Sequence, residues 1–376
     1  MQITREKLPA ILFFIVAEFM YSFELTYLRL PNIIYNVLLG ITFLLFIASV
    51  VNSQWTVEEI IKVIIILVVG ILVYFSSKES LYLTLIFSAI VMNNLSYKEA
   101  SKTIFITRLI TTMFIIFLSI IGLLPLNKMV VSKGIFGVAT GYGLGYIHPN
   151  NLAQAIFVLC CLYLCINYDS LTFKKIMGII VVDIINYGVT KSKTSCFILF
   201  FICLLLLLKR KSFIIKLFRK LSIPYLIIIG GVSILGPMLY TYSTGKIQSI
   251  MYVLNGYLNG RFVNASNMFL SFPITLFGKI INLDYLQRMY GYNVVDNGYV
   301  FLLFDYGIVG FTLIMFLYLY SIKKLIKKDL LVFLLVIIGF LSLAMMENVI
   351  RAMFMNFTMI FWYEFINSKS NYKKDI

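Results

Sequence analysis

Residues 33–51 read "IIYNVLLGITFLLFIASVV", nineteen positions without a charged side chain. At a rise of 1.5 Å per residue such a run makes a helix of about 28 Å, close to the thickness of a bilayer's hydrocarbon core. Comparable runs recur near 9–25, 60–76, 80–95, 104–125, 151–168, 173–190, 194–208, 222–242, 298–321, 330–346 and 351–366. Inside a membrane every backbone amide needs a partner within the protein, which a helix supplies. The chain therefore reads as all-α: a polytopic membrane protein of about twelve transmembrane helices, a single transmembrane domain over 1–376.

Composition points the same way. Hydrophobic residues make up 61% of the 376 and charged residues 13%, with a mean hydropathy of +0.95. Soluble chains sit nearer about 45–50% and about 25%. The start, "MQITREKLPAILFFIVAEF", is charged like a signal peptide but lacks a small-residue cleavage site, so it reads as a retained span. Cys160, Cys161, Cys165, Cys196 and Cys203 all fall inside apolar runs with no CxxC spacing, so neither a disulfide framework nor a metal cluster is expected. No P-loop and no strand-borne GxGxxG occurs, which leaves a nucleotide or other cofactor without a motif.

The net charge of +16 does not imply nucleic acid, because no basic block alternates with aromatics on a polar background. Lysines and arginines instead collect between spans, as cytoplasmic loops require. A cytoplasmic N-terminus puts inside Arg5, Lys7, Lys62, Lys98, Lys102, Arg108, Lys174 and Lys175. The basic residues of 209–220 and 323–328, and Lys369, Lys373 and Lys374, follow on the same side. Both termini are then cytoplasmic. Four polar stretches share the outer face: "GYGLGYIHPNNLAQ" at 141–154, "VTKSKTS" at 189–195, the loop 243–297, and "MENVIR" at 346–351.

The first of these carries the only histidine, His148. Its glycines permit tight turns and close backbone approach, and Pro149 fits the first turn of a helix. Asn150, Asn151 and Gln154 crowd that turn, where free backbone donors favour an anion. His148 is either a residue flanking the helix start or an imidazole exchanging protons near neutral pH. In the next segment Asp183, Asn186, Tyr187, Thr190 and Lys191 form one helical stripe. Asp183 at that depth needs a partner or a wet cavity. Lys191 and Lys193 suit phosphate oxygens as compact cations.

In the long loop, "KIQSIMYVLNGYLNGRF" (246–262) places apolar residues at 247, 250, 251, 254, 257 and 258, the spacing of an amphipathic helix lying on the membrane surface. Arg261 at its end either snorkels to lipid headgroups or offers its planar fork to a diphosphate. Arg288, Tyr290, Tyr292, Asp296, Asn297 and Tyr299 gather before the tenth span. Interfacial tyrosines are ordinary there, and the same residue types also stack and hydrogen-bond sugars. Glu347 and Arg351 stand four apart at the turn between the last two spans, where they would form an ion pair that closes the turn or serves the site.

Taken in order, "GYIHPNNLA" (145–153), "TKSKTSCFILF" (190–200), "LNGRFVNASNMF" (258–269), "VVDNGYVFLLFDYGIVG" (294–310) and "MENVIR" resemble the Wzy-type polysaccharide polymerases of the O-antigen polymerase and ligase superfamily. The likeness covers 134–360. It departs at Lys193, where many relatives have an arginine. What the resemblance implies is a fold like the lipid-dependent, GT-C-like membrane glycosyltransferases, in a bacterial cytoplasmic membrane. Donor and acceptor would be oligosaccharide repeat units on undecaprenyl diphosphate, joined at the outer leaflet into capsule or exopolysaccharide. No cofactor or metal is implied, and a chain-length regulator is an expected partner. By the same resemblance His148, and after it Asp296, would be the base, and Arg261 the leading catalytic cation. Asn150, Lys191, Lys193, Arg288, Tyr292, Asn297, Tyr299, Glu347 and Arg351 would bind substrate. Two alternatives compete: an O-antigen-ligase-type glycan transferase, and a flippase for lipid-linked oligosaccharide. A transporter usually carries internal repeats, and no half-to-half repeat is visible.

Overall fold

Short polar signals set the helix starts. Thr56 and Glu59 form a reciprocal capping box at the head of one helix, and Ser96 and Glu99 form another, each satisfying backbone donors that the first turn leaves open. The computed structural model describes residues 5–132, 137–210, 212–292, 295–351 and 355–368, and about 75% of the chain is helical. In chain order come α1 (Leu8–Ser22), α2 (Asn32–Val51), α3 (Val57–Ser77), α4 (Ser80–Val91) and α5 (Tyr97–Ile120), then a hairpin of β1 (Lys128–Ser132) and β2 (Val138–Tyr142). Next are α6 (Pro149–Ile166), α7 (Phe173–Thr190), α8 (Lys193–Leu207), α9 (Ser212–Tyr242), α10 (Gly245–Tyr257), α11 (Arg261–Ser271) and α12 (Leu283–Tyr290). The chain closes with α13 (Gly298–Asp305), α14 (Gly307–Lys327), α15 (Leu331–Ala344), a 3-10 turn (Phe357–Trp362) and α16 (Tyr363–Ile366).

Among the described residues, α2, α3, α5, α6, α9 and α14 are long and apolar enough to cross a membrane, and α1, α4, α8, α15 and 357–366 are shorter apolar helices. On α2 and α3 the outward side chains include Ile33, Val37, Leu44, Ile61 and Phe75, all exposed. A soluble surface does not carry contiguous apolar patches of that extent. On α15, by contrast, the stretch from Val332 to Leu341 is wholly buried, which makes it the central post of the bundle.

Two of the expected spans are corrected. The stretch 298–321 is not one helix: it breaks at Tyr306–Gly307 into α13 and α14. The amides of Ile308 and Val309 donate to the carbonyls of Thr275 and Leu276 at 3.0 and 2.9 Å, out of the helical register. Gly307 has φ +72°, and a Cβ there would collide with the Leu276 backbone. The stretch 351–366 is not one continuous α-helix among the described residues. Residues 352–354 lie outside the described residues, and the rest is the 3-10 turn and the four-residue α16, buried along Phe357–Trp362. An apolar run buried in protein has the same composition as one facing lipid, so hydropathy alone could not separate them.

Arg108 is a third correction. It lies in α5, 3% exposed, with its Nε 2.7 Å from an Oε1 of Glu18 in α1, not in a basic loop. A charge at that depth persists because a neighbouring helix supplies its counter-ion. Lys211, Lys369, Lys373 and Lys374 lie outside the described residues.

One end of the bundle carries the pairs Lys7–Glu99 at 2.7 Å, Lys98–Asp169 at 3.1 Å and Lys328–Glu364 at 2.6 Å. At the opposite end of α1 and α5, the chain after α1 pairs with the segment entering α6. Thr26 bridges Tyr146, and Ile147 donates to the Leu25 carbonyl at 3.0 Å. The long loop folds back over this same end as a satellite core, with Ala265 and Met268 of α11, Leu286 of α12, and Phe301 and Phe304 of α13 packed together. The helix expected at 246–258 is α10. Its side chains are unburied, Ile247, Ile250 and Val253 among them.

Candidate functional site

Asn255 starts the site by fixing a turn. Its Oδ1 accepts from the amides of Phe262 and Val263 at 3.0 and 3.1 Å, and Gly260 takes the left-handed conformation at φ +82°. Arg261, the first residue of α11, is thereby held with its guanidinium inward. Nη2 donates to Oε1 of Glu347 at 2.9 Å, and Nη1 pairs with Oδ2 of Asp296. Tyr292 donates its hydroxyl to that same Asp296 oxygen at 2.9 Å.

Helix α6 closes the other side. Asn150 and Gln154 stand one turn apart on one face, and each donates its side-chain amide to Glu347, at 3.2 Å to Oε1 and 3.1 Å to Oε2. Four parts of the chain far apart in sequence therefore join one bonded cluster: the head of α6 and the head of α11 reach the Glu347 carboxylate in the turn after α15, and Asp296, held by Tyr292, joins through Arg261. Glu347 is buried, and burial pushes its carboxyl up to about 7, with Arg261 opposing and Asp296 adding to the rise. Burial alone would lower the Arg261 guanidinium, but Glu347 and Asp296 beside it hold it above its usual value. Burial, and then Asp296, raises the Tyr292 phenol.

A cavity of 240 Å³ lies against this cluster, with Asp296, Glu347, Gln154, Asn151 and Arg351 in its walls and Leu283 of α12 among its apolar lining. A smaller void, lined by Asn151, Gln154 and Arg108, continues toward the Glu18–Arg108 pair.

The remaining candidates fall in different places. His148 is the N-cap of α6: its Nδ1 accepts from the Asn150 amide at 3.1 Å. That nitrogen is then unprotonated, and the ring hydrogen of the neutral imidazole sits on Nε2. Asn297 caps α13, accepting from the amides of Tyr299 and Val300 and donating to the Ser233 carbonyl at 2.7 Å. Tyr299 is fully buried with its hydroxyl on the Leu341 carbonyl at 2.9 Å, packed in the core. Lys191 is the left-handed cap of α7, with its ammonium 5.7 Å from the centre of the Tyr187 ring, and Lys193 opens α8. Arg288 lies exposed in the last turn of α12.

The expected Glu347–Arg351 pair is corrected. Residues 345–351 are turn, not helix, so a spacing of four does not bring the two together. Arg351 instead approaches Glu79 at 3.9 Å and stacks 4.8 Å over the Phe301 ring. Asp183 is buried, with one carboxylate oxygen unpartnered.

Sequence reasoning placed Gln154 in the first turn of α6 but gave it no part in the site, although its spacing from Asn150 was the available signal. It missed Glu24 and Asn348, which also line the cavity. Glu24 reaches the site only through the pairing of Leu25 with Ile147, which no local pattern announces. No protein family, curated protein or solved structure matches this chain.

Proposed function

We propose that this protein is a polysaccharide polymerase that joins oligosaccharide repeat units carried on a polyprenyl diphosphate. The observation that supports it best is the meeting of Asn150, Arg261, Asp296 and Glu347. Each comes from a different one of the stretches that resemble the Wzy-type polymerases, and all belong to one bonded cluster. In this reading the apolar stretches form a multi-pass protein of the bacterial cytoplasmic membrane, GT-C-like in its chemistry. The end that carries the Lys7–Glu99, Lys98–Asp169 and Lys328–Glu364 pairs faces the cytoplasm, and the Glu347 cluster faces outward.

In the reaction a hydroxyl of the acceptor sugar attacks the anomeric carbon of the donor. The new C–O bond forms as the anomeric C–O bond to diphosphate breaks, and the diphosphate leaves with the bonding electrons. The hydroxyl proton needs a base. Glu347 fits that task better than His148: burial raises its carboxyl toward the neutral range, where a general base is most effective, whereas Nδ1 of His148 is engaged in the helix cap. Proton transfer then has a second consequence. Arg261 is shared between two carboxylates, and neutralising Glu347 removes one of them as negative charge grows on the leaving diphosphate. The guanidinium becomes available to that charge at the moment it develops.

Loss of the gene tests the class of reaction. A polymerase defect leaves single lipid-linked repeat units in the cell. Long unattached chains would mark a ligase instead, and repeat units trapped on the cytoplasmic face a flippase.

A further inference from the structure

Helices α8 and α9 follow one another across a turn of a few residues, yet they scarcely touch along their length; both pack on α15 instead. A furrow runs between them. Leu335 and Ile338 of α15 lie in its floor, Phe197 and Phe201 in the α8 wall, and Leu217 and Leu221 in the α9 wall. The floor residues are buried and the four wall residues are exposed, so the furrow opens sideways, toward lipid. It starts beside the turn at 208–211, with Leu205 and Ile214, and ends where the hydroxyls of Tyr225 and Ser342 bond to one another at 2.8 Å. From Ile214 to Tyr225 the α9 wall runs for about 16 Å at about 1.5 Å per residue, the depth of one leaflet in a hydrocarbon core of about 30 Å. Apolar space of this kind stays dry. An acyl chain lodged there gains dispersion contacts from a floor and two walls, where a flat helix surface offers one side.

Charge selects the headgroup. Arg219 of α9 pairs with Asp329, which brings the turn after α14 to the same end of the furrow. The nearby acids Asp329 and Glu364 are already taken up by Arg219 and Lys328. Among the described residues, Lys209, Lys216, Lys220, Lys323 and Lys327 are exposed and have no acidic partner. Along the first turns of α9 the two properties divide by face: Ile214, Leu217 and Leu221 line the furrow, and Lys216 and Lys220 fall on the opposite side of the helix. Lysines without counter-charge at a membrane surface attract anionic headgroups, each worth about fivefold in affinity, and do little for a zwitterionic one. We infer that the furrow between α8 and α9 is the seat of one anionic phospholipid, with an acyl chain against Leu335 and Ile338 and the headgroup over the turn 208–211 beside Lys209. The site uses no member of the Glu347 cluster, so it stands or falls separately from the polymerase reading.

The full chain in an uncharged maltoside detergent is mixed with phosphatidylglycerol or with phosphatidylcholine of the same acyl chains, and retained lipid is read by native mass spectrometry. One phosphatidylglycerol is expected to stay bound where phosphatidylcholine is stripped, with a preference of about tenfold or more in apparent Kd. Leu217→Trp fills the furrow from its wall, leaves every lysine in place, and is expected to lose that adduct. Where Leu217→Trp does not elute as a monodisperse species, Leu221→Trp carries the comparison with the same expected loss. Changing Lys209, Lys216 and Lys220 together to glutamine is expected to cut the preference about fivefold or more. Equal retention of the two lipids, an adduct unchanged in a folded tryptophan variant, or a preference unchanged in the glutamine variant would overturn the inference. Displacement of phosphatidylglycerol by an equal concentration of a polyprenyl phosphate would also overturn it, by giving the furrow to an isoprenoid chain.

Discussion

Arg261 and Glu347 stand 86 residues apart and meet at 2.9 Å, the guanidinium donating to a carboxylate that two α6 amides also engage. Removing Arg261 leaves Glu347 and Asp296 without their counter-charge, whereas removing Glu347 leaves Arg261 paired with Asp296 alone. Arg261→Met is expected to lower transfer at least 10²-fold and to raise the Glu347 carboxyl further, since the guanidinium is what opposes burial there. Arg261→Lys restores the charge but not the fork across two carboxylates, and should recover only a minor part of the activity. Polymer yield measured across the three proteins at equal membrane content checks this.

Glu347 sets a pH dependence with opposite signs for activity and stability. As the base it must be ionised, so transfer is expected to rise through about pH 7, and Glu347→Gln should remove that limb along with 10²–10⁴-fold of the rate. Its folded-state carboxyl lies above the ordinary glutamate value of about 4.3, so the folded state binds the proton more tightly than the unfolded chain. The stability this contributes is complete below that value and is lost as pH rises through about 7. Thermal unfolding in detergent at pH 5 and pH 8 should show the higher midpoint at pH 5 from this group, with the difference reduced in Glu347→Gln.

His148 separates capping from proton transfer. Asparagine is among the best N-cap residues, and alanine forfeits about 1 kcal/mol. His148→Asn should therefore keep both the helix start and at least half the activity, while His148→Ala lowers the unfolding midpoint. A folded but inactive His148→Asn would return the imidazole to the reaction.

The Glu18–Arg108 pair within the bundle gives a prediction about stability alone. Arg108→Met or Glu18→Gln should each cost about 3–5 kcal/mol by stranding the partner. The double change Glu18→Met with Arg108→Met should recover much of that loss. Detergent-denaturation midpoints of the four proteins read it directly.

How far the sequence carried can be traced residue by residue. The helices of the bundle were legible because apolar runs of bilayer length have few alternatives, and Pro149 announced the start of α6. The break at Gly307 was not, because it depends on backbone amides that donate to Thr275 and Leu276 in a distant loop. The hairpin β1–β2 was likewise invisible: its register, with Val130 opposite Thr140, follows from the meeting of two short segments and not from a strong alternation in either. In the site, the residue types were found but their partners were not. Glu347 was assigned to Arg351 across the turn they share, whereas its partner, Arg261, comes from a distant loop. Arg261 was read as snorkelling to headgroups or open to a diphosphate, and its pairing with Asp296 and Glu347 was not foreseen. Local spacing describes one element at a time, and this cluster is assembled from four.

The central claim is that Glu347, fixed by Arg261, Asn150 and Gln154, accepts the proton in transfer between lipid-linked sugars. Purified protein incubated at pH 7.5 with isolated lipid-linked repeat units, and the products resolved by size, measures it most directly. The native chain should convert single units into a ladder, and a folded Glu347→Gln protein should leave them single. A ladder of native length and rate from Glu347→Gln, or single units left untouched by the native protein, would contradict it.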